Sequence, residues 1–325
     1  MPVAVSGSIA TDHLMHFPGR FADQIVAEQA HRLALSFLVD DLVVRRGGIG
    51  ANIAFGMGVL GCSPILVGAV GEDFDDYRSW LQRHGVDCSG VHVSEVAQTA
   101  RFVSTTDDDM CHIASFYTGA MAEARLIELA PIAERAGGLE LVMISPDDPD
   151  AMLRHAEECR QRGYTFAVDP SQQLARMNGD QIREFIVDAM YLFSNDYEWE
   201  LLLRKTGWTE QDVLAKVGTR ITTLGERGVE IVDGAGSVLH VPAVPVRGIA
   251  EPTGIGDGFR AGMLAGMTRG LGLTRAAQLG SYVAVLVLET VGPQEWALDR
   301  DEAIKRITDA YGADAAEEIA AILPG

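Results

Sequence analysis

Short apolar runs alternate with helical segments over the second part of the chain. From residue 120 onward the apolar runs cover residues 139–145, 164–169, 190–194, 220–224 and 229–232, and most of them are separated by segments of helical spacing. This alternation is typical of a mostly parallel sheet with helices on both faces. The hydrophobic pattern therefore predicts an α/β fold.

The first part of the chain is less regular and contains further strand-like runs. Strands are predicted at residues 3–5, 64–70, 99–105 and 112–117, and residues 33–39 also alternate as a strand does. A helix rich in small residues is predicted from Asn52 to Gly61, and residues 71–94 predict a helix followed by a connection. Asp12 follows the first strand directly, in a segment without helical spacing.

Polar side chains follow three of the predicted strands at the point where each strand ends. They are Asp169-Pro170-Ser171-Gln172-Gln173, Asn195-Asp196-Tyr197-Glu198 and Thr222-Thr223-Leu224-Gly225-Glu226-Arg227-Gly228. Ligands of open α/β sheets bind beyond the carboxyl ends of the strands. The glycines of the third cluster also allow a phosphate to approach the backbone. Together the three clusters predict one rim of a binding site.

A proline and two glycines precede a helix in the stretch Glu251–Gly262. Helical spacing begins near Asp257, so the backbone N–H groups of Gly254, Ile255, Gly256 and Asp257 are expected at a helix N-terminus. Such N–H groups lack partners within the helix and favour an anion. On the local pattern alone, Asp257 is either an ordinary helix cap or a base held beside a bound phosphate.

A second glycine-rich stretch, Gly47-Gly48-Ile49-Gly50-Ala51-Asn52, precedes a helix and allows a ligand to approach its backbone closely. The run Gly56–Gly61 matches G-x-G-x-x-G, but it falls inside the predicted helix and its strand comes afterwards. The dinucleotide-binding motif needs the strand first. We therefore expect these glycines to serve close helix packing.

Composition excludes several classes of protein. The 325 residues contain 26 Lys and Arg against 46 Asp and Glu, a net charge of −20, so neither nucleic acid nor an anionic membrane surface is an expected partner. No apolar run is long enough for a membrane span, and no signal peptide is recognisable. The four cysteines have no paired spacing, which favours reduced thiols and a cytoplasmic protein. No P-loop motif is present.

Taken together, the motifs resemble those of the ribokinase-like (PfkB) carbohydrate kinases. The two glycine-rich stretches, Gly47–Asn52 and Pro252–Asp257, are similar to the two signatures of this family, and Asn195–Glu198 matches its N-x-x-E motif. Within the family the chain looks most like the adenosine kinases of actinobacteria, over nearly its whole length. The resemblance changes our interpretation of Asp257 from a helix cap to a catalytic base.

The resemblance implies a three-layer α/β/α core with a small β-sheet lid. The core would comprise residues 1–12, 47–94 and 120–325, and the lid residues 13–46 and 95–119. In ribokinase relatives the lid closes over the substrate and also forms a dimer interface, so a homodimer through the lid is expected.

The resemblance also implies a role for individual residues. Asp257 would be the general base, with the N–H groups of Gly254, Ile255 and Gly256 forming the anion hole. The residues matching the nucleoside site are Ser8, Asp12, Gly48, Asn52, Phe102, Phe116, Gln172 and Gln173. Those matching the ATP site are Asn195, Thr223, Gly225 and Gly228. Glu198 would organise Mg²⁺ through water, and Glu251 and Thr253 are candidates for a K⁺ site.

The implied reaction is ATP-dependent phosphorylation of the 5′-hydroxyl of adenosine, with Mg²⁺ and with K⁺ as a possible activator. Relatives that bind K⁺ have an Asp where this chain has Glu251, which weakens that expectation. Two alternatives remain open from the sequence. One is a ribokinase or fructokinase acting on a free sugar, and the other is a non-catalytic nucleotide-binding protein on the same fold. Phe102 and Phe116 favour a nucleoside, because a flat base needs an aromatic platform.

Overall fold

Thirteen strands and twelve α-helices, together with four short 3-10 helices, are found in the part of the chain that the computed structural model describes, residues 2–24 and 36–325. The strands are β1 (Val3–Ser6), β2 (Ala10–Phe17), β3 (Asp41–Gly47), β4 (Ile65–Gly71), β5 (Asp87–Ser94), β6 (Ala100–Asp107), β7 (His112–Tyr117), β8 (Leu141–Ile144), β9 (Phe166–Val168), β10 (Tyr191–Asn195), β11 (Thr219–Thr223), β12 (Val229–Asp233) and β13 (Val238–Val241). The helices are α1 (Phe21–Gln24), α2 (Ile49–Val59), α3 (Asp75–Arg83), α4 (Leu129–Ala136), α5 (Pro149–Arg162), α6 (Gly179–Ile186), α7 (Asp196–Thr206), α8 (Glu210–Leu214), α9 (Ile255–Thr268), α10 (Leu273–Leu288), α11 (Arg300–Tyr311) and α12 (Ala313–Ala320).

Nine strands form one sheet in the order β13-β12-β11-β10-β9-β8-β1-β4-β5. Its pairings are parallel, except that β12 is antiparallel to both β11 and β13. Successive side chains of β1 enter different cores: Val3 and Val5 pack with α2, α9 and α10, and Ala4 packs with α5, α6 and α7. The molecule therefore has three layers, α/β/α, which confirms the predicted fold class.

The other four strands form a small second sheet in the order β3-β2-β6-β7. β2 pairs antiparallel with β3 and parallel with β6, and β6 pairs antiparallel with β7. β2 begins a few residues after β1, and β3 ends at Gly47, immediately before α2. The second sheet is thus joined to the large one at the end of a central strand. Its function as a lid remains a prediction.

Two expectations from the hydrophobic pattern are wrong. Residues 33–35 lie outside the described part of the chain. Residues 37–39 are described and form no strand, and the strand in this region is Asp41–Gly47 instead. Residues 87–94, expected to be part of a connection, form the edge strand β5. The strands observed here, β3 and β5, are edge strands with solvent on one side. Their apolar content therefore departs from the pattern of a buried strand.

The G-x-G-x-x-G match at Gly56–Gly61 lies within and just after α2, as expected. A Cβ atom on Gly56 would lie 2.6 Å from Cβ of Ala261 in α9, and one on Gly58 would lie 2.0 Å from the carbonyl oxygen of His84. These glycines therefore allow close contact of α2 with its neighbours rather than binding a nucleotide.

In residues 2–24 and 36–325 no helix is both long and apolar enough to cross a membrane. All four cysteines belong to the described chain, and each is a free thiol.

Candidate active site

The predicted site residues meet at one cavity of about 960 Å³, beyond the carboxyl ends of β1, β8, β9, β10 and β11. The predicted residues that line it are Ser8, Asp12, Gly48, Asn52, Phe102, Phe116, Gln172, Gln173, Asn195, Glu198, Thr223, Gly225, Gly228, Thr253, Gly254, Ile255, Gly256 and Asp257. Glu251 lies next to the cavity and outside its lining. The structure thus brings together side chains that are up to about 250 residues apart in sequence.

The turn before α9 forms an uncapped helix N-terminus at the cavity. Gly254 is the N-cap residue with φ of 80°, a left-handed conformation that favours glycine. In the described chain no side chain caps this helix. The N–H groups of Ile255, Gly256 and Asp257 in the first turn therefore lack helical partners, and the helix dipole adds partial positive charge. This geometry suits an anion such as a phosphate.

Asp257 occupies the third position of α9, so it is not the N-cap residue of the helix. Its Oδ2 accepts a hydrogen bond of 2.8 Å from Nδ2 of Asn52 in α2. Burial raises the pKa of Asp257 to about 6, while Asn52 and Arg260 lower it and Glu198 raises it further. A carboxyl group with this pKa is ionised at neutral pH and close to the working range of a general base.

A buried ion pair lies behind the turn. Nε of Arg260 is 2.6 Å from Oδ2 of Asp169, and both side chains are almost fully buried. Nη1 of Arg260 also donates to the carbonyl oxygen of Gly256 at 2.9 Å. Burial raises the pKa of Asp169 to about 7, although Arg260 lowers it. The pair ties the strand end after β9 to the first turn of α9.

Four residues form one row across the second sheet. Arg45 of β3 is paired with Asp12 of β2, Asp12 with Phe102 of β6, and Phe102 with Phe116 of β7. Directly paired residues project from the same face of a sheet, and neighbouring strands are about 4.8 Å apart. The row therefore presents a carboxylate beside two aromatic rings to the cavity. Burial, followed by the charge of Glu251, raises the pKa of Asp12 to about 6, and Arg45 opposes this.

Glu251 forms an ion pair with Arg45 of the second sheet. Its Oε2 accepts a hydrogen bond from Nη1 of Arg45, and both side chains are largely buried. A K⁺ ion at Glu251 would have to share the carboxylate with a guanidinium group. The residues present therefore do not fit a K⁺ site at Glu251 in this arrangement, and Thr253 alone does not make one.

Ser8 and Gly48 build the junction between β1 and α2. Oγ of Ser8 accepts a hydrogen bond of 3.1 Å from the N–H of Ile49, at the start of α2. Gly48 has φ of 92°, and a Cβ atom on it would lie 2.5 Å from the carbonyl oxygen of Ser8. Both the conformation and the contact require glycine here, and they keep the backbone of Gly48 open to the cavity.

Asn195 and Glu198 form a reciprocal cap at the start of α7. Oδ1 of Asn195 accepts from the N–H of Glu198, and Oε2 of Glu198 accepts from the N–H of Asn195, each at 2.8 Å. The other carboxylate oxygen of Glu198 accepts from Oγ of Ser171 at 3.2 Å. The N-x-x-E motif thus has a structural role at this helix end, and the carboxylate still faces the cavity.

The described chain holds no group of three or more His, Cys, Asp and Glu side chains arranged to bind a metal. Mg²⁺ often takes one or two carboxylates and completes its shell with phosphate oxygens and water. Glu198 fits an ion that arrives with a nucleotide, because its carboxylate lines the cavity and forms no salt bridge within the described chain, although the charge of Arg260 acts on it.

The glycines after β11 differ in their environment. Gly225 has φ of 59°, and a Cβ atom there would meet nothing within 4 Å. Gly228 has φ of 88°, and a Cβ atom there would lie 2.1 Å from the carbonyl oxygen of Val241. Gly225 thus leaves space on the cavity side next to Thr223, while Gly228 is needed for contact with the end of β13.

The two neighbouring glutamines also differ. Gln172 is exposed at the rim, whereas Gln173 is buried and its Nε2 donates to the carbonyl oxygen of Asp147 at 2.8 Å. The amide oxygen of Gln173 is buried without a hydrogen-bond partner in the described chain. The sequence placed Asp169 only among the polar residues of the rim, and Arg260, Arg45, Tyr77 and Gln294 received no role from it. The Gly-x-Gly-Asp-x-x-Arg spacing, which places Arg260 one turn after Gly256, was the available signal for the first of them.

Comparison with known proteins gives a consistent result. Residues 16–300 match the pfkB family carbohydrate kinases. A nucleoside kinase of Burkholderia thailandensis, solved in ligand-free form, is 35% identical with a TM-score of 0.85, over 94% of this chain and 99% of that chain. The structure of that kinase in complex with ADP-inosine is also 35% identical, with a TM-score of 0.80, over 95% of this chain and 96% of that chain. A nucleoside kinase of Methanothermobacter thermautotrophicus is 31% identical over 271 residues, 82% of this chain and 85% of the relative.

The fold and these similarities define a phosphotransferase with an alcohol as acceptor and ATP as co-substrate. The chain belongs to the pfkB family of carbohydrate kinases. The family resemblance seen in the two glycine-rich stretches is thereby confirmed.

Proposed function

We propose that this protein is a nucleoside kinase that transfers the γ-phosphoryl group of ATP to the 5′-hydroxyl of adenosine. The observation that carries the proposal is the shared cavity of Asp257, at an uncapped helix N-terminus, and the row Asp12, Phe102 and Phe116. A free sugar would leave the two rings without a partner, whereas a nucleobase stacks on them. The similar nucleoside kinases support the same substrate class.

At the nucleoside end of the cavity, ribose and base are held by different residues. The Asp12 carboxylate accepts hydrogen bonds from ribose hydroxyls, and Ser8, Gly48 and Asn52 border the same place. Phe102 and Phe116 lie one and two strand positions from Asp12, which supports a position of the base beside the ribose. Gln172 and Gln173 line the same part of the cavity and supply polar contacts to the edge of the base.

Asp257 acts as the general base in this proposal. It accepts the proton of the 5′-hydroxyl as that oxygen attacks the γ-phosphorus in line with the leaving group. The N–H groups of Ile255, Gly256 and Asp257 stabilise the charge that develops on the transferred group. Because this stabilisation is local, an acidic protein with a net charge of −20 can use an anionic substrate.

The ATP end of the cavity is formed by Asn195, Thr223, Gly225 and Gly228. Mg²⁺ bound to ATP would neutralise phosphate charge, and Glu198 is the residue that would hold it, through water. K⁺ activation, expected from Glu251 and Thr253, gains no support from the Arg45–Glu251 pair.

The second sheet is proposed to be a lid that covers the nucleoside and excludes water. Its outer face exposes apolar side chains for about half of their surface: Leu42, Val44, Ile113 and Tyr117. Contact of this face with that of a second copy would bury them, which supports a homodimer through the lid. Sedimentation equilibrium tests this arrangement. A cytoplasmic location agrees with the free cysteines.

The proposal predicts a ranking of acceptor substrates. With purified protein, ATP and Mg²⁺, we expect ATP consumption with adenosine to have the highest kcat/KM in a panel that also contains inosine, cytidine, ribose and fructose. Higher kcat/KM with ribose or fructose would favour a sugar kinase, and equal ATP consumption with and without every acceptor would favour a non-catalytic protein.

A further inference from the structure

A chain of hydrogen bonds runs from the end of the second sheet to Asp257. The hydroxyl of Tyr77 donates to the carbonyl oxygen of Gly47 at 2.8 Å. Nε2 of Gln294 donates to the Tyr77 oxygen at 2.5 Å and to Oδ1 of Asn52 at 2.9 Å. Asn52 in turn donates to Asp257. Gln294, Tyr77 and Asn52 are all buried.

The donor-to-acceptor direction of this series of hydrogen bonds is fixed at the end that lies at Gly47. A backbone carbonyl can only accept, so the single proton of the Tyr77 hydroxyl is committed to Gly47. Burial raises the pKa of Tyr77, which keeps that proton in place. The Tyr77 oxygen therefore acts as an acceptor towards Gln294, and the Gln294 amide must present its NH₂ group.

The NH₂ group of Gln294 then determines the orientation of Asn52. Both of its protons are used, one on Tyr77 and one on Oδ1 of Asn52. With Oδ1 facing Gln294, the Asn52 amide can offer only N–H groups to Asp257. The opposite orientation of Asn52 would place an amide oxygen against the Asp257 carboxylate.

We propose that Gln294 is a positioning residue, which fixes the Asn52 amide so that Asn52 donates a hydrogen bond to Asp257. The inference rests on the proposed role of Asp257 as the base. A hydrogen bond donated to a carboxylate favours its ionised form. The series of hydrogen bonds therefore keeps Asp257 ready to accept a proton. The amide oxygen of Gln294 is buried without a partner in the described chain, so the NH₂ group makes all of its hydrogen bonds.

Other charged groups also act on Asp257. Arg260 on α9 itself, Glu198 on α7 and Asp169 after β9 all interact with it, and Asp12 has a raised pKa in the same range. A pH profile of the wild-type enzyme alone would not assign its acidic limb to Asp257. A change in the pH profile on substitution of Gln294 would assign the acidic limb to Asp257. The reason is that Gln294 makes its hydrogen bonds to Asn52 and Tyr77, and Asn52 contacts Asp257.

The test is the pH dependence of kcat in Gln294→Met, a substitution of similar size without a donor. We expect the acidic limb to move up by about one pH unit, because Asn52 is free to turn its oxygen towards Asp257. At pH 6 this corresponds to a roughly fivefold lower kcat, and at pH 8.5 the variant and the wild type converge. Gln278→Met, the same change at a buried glutamine of α10 outside the cavity lining, should leave the limb in place.

Tyr77→Phe provides a second variant should Gln294→Met fail to fold. It removes the group that fixes the direction of the chain, and we expect a shift of the same sign. An unmoved limb in the folded variants, or a kcat lowered by the same factor at every pH, would overturn the positioning role. Normal turnover in Asp257→Asn would instead overturn the proposed base, so the two failures are distinguishable.

Discussion

Replacement of Asp257 by Asn is expected to lower kcat by about 10²–10⁴-fold with little change in the affinity for ATP. The amide has nearly the shape of the carboxylate, and its oxygen can still accept the hydrogen bond from Asn52. It cannot take the proton of the attacking hydroxyl. Steady-state kinetics with adenosine, together with calorimetric titration of ATP, measure the two quantities separately.

Asp299 provides the matched control for this substitution. It is the N-cap residue of α11, and its side chain accepts from the N–H of Glu302 at 2.9 Å. Asn caps a helix as well as Asp does, so Asp299→Asn should leave kcat and stability near the wild-type values. If Asp257→Asn behaved in the same way, Asp257 would have only a local structural role.

Replacement of Arg260 by Met is expected to destabilise the protein by an amount that depends on pH. The pair with Asp169 is almost fully buried, and removal of one partner from such a pair costs about 3–5 kcal/mol when the remaining charge stays buried. At acidic pH the remaining carboxyl group is protonated, which limits the cost to the lost packing and the lost hydrogen bond to Gly256.

The sign of the pH dependence follows from the pKa of Asp169, which is raised to about 7 in the folded protein from an ordinary value of 3.8. The folded state therefore binds more protons than the unfolded state between these values, and stability falls as pH rises through this window. Without Arg260 the folded pKa rises further and the window extends above pH 7. We expect a destabilisation of about 1 kcal/mol at pH 5.5, growing by up to about 1.4 kcal/mol per pH unit above 7.

Urea unfolding at pH 5.5 and pH 8.5 measures this difference. Arg154→Met is the control, because Arg154 forms an exposed pair with Glu128 at 3.2 Å. Exposed pairs contribute about 0–1 kcal/mol, so its effect should be small at both values. Equal destabilisation by Arg260→Met at both pH values would show that Asp169 is not held as a partner of Arg260.

The sequence predicts the large sheet because each buried strand is a local apolar run, with polar residues where it ends. The turn at Gly254 is predictable for the same reason, since proline, glycine and helical spacing occur together within a few residues. The edge strand β5 is not, because its outer positions are solvated and resemble those of a connection. Residues 37–39 are as apolar as a strand, but the partner of β2 is Asp41–Gly47.

Contacts between distant segments account for the remaining differences. The family resemblance assigned Asn52 to the nucleoside site, and the structure shows that its amide also contacts Asp257, 205 residues away. Asp12, Phe102 and Phe116 were each predicted, but only the strand register shows that they form one row. Gln294 lies in a segment without any motif, so no local pattern indicates its contact with Asn52.

The most direct test of the account is to identify the phosphorylated product by ³¹P NMR after incubation with ATP, Mg²⁺ and adenosine. 5′-Deoxyadenosine, which retains the base and the 2′- and 3′-hydroxyls, is the matched control. We predict AMP phosphorylated at the 5′ position from adenosine and no product from 5′-deoxyadenosine. A phosphate on the 2′ or 3′ oxygen, or a product from 5′-deoxyadenosine, would contradict the proposal that Asp257 activates the 5′-hydroxyl of a nucleoside.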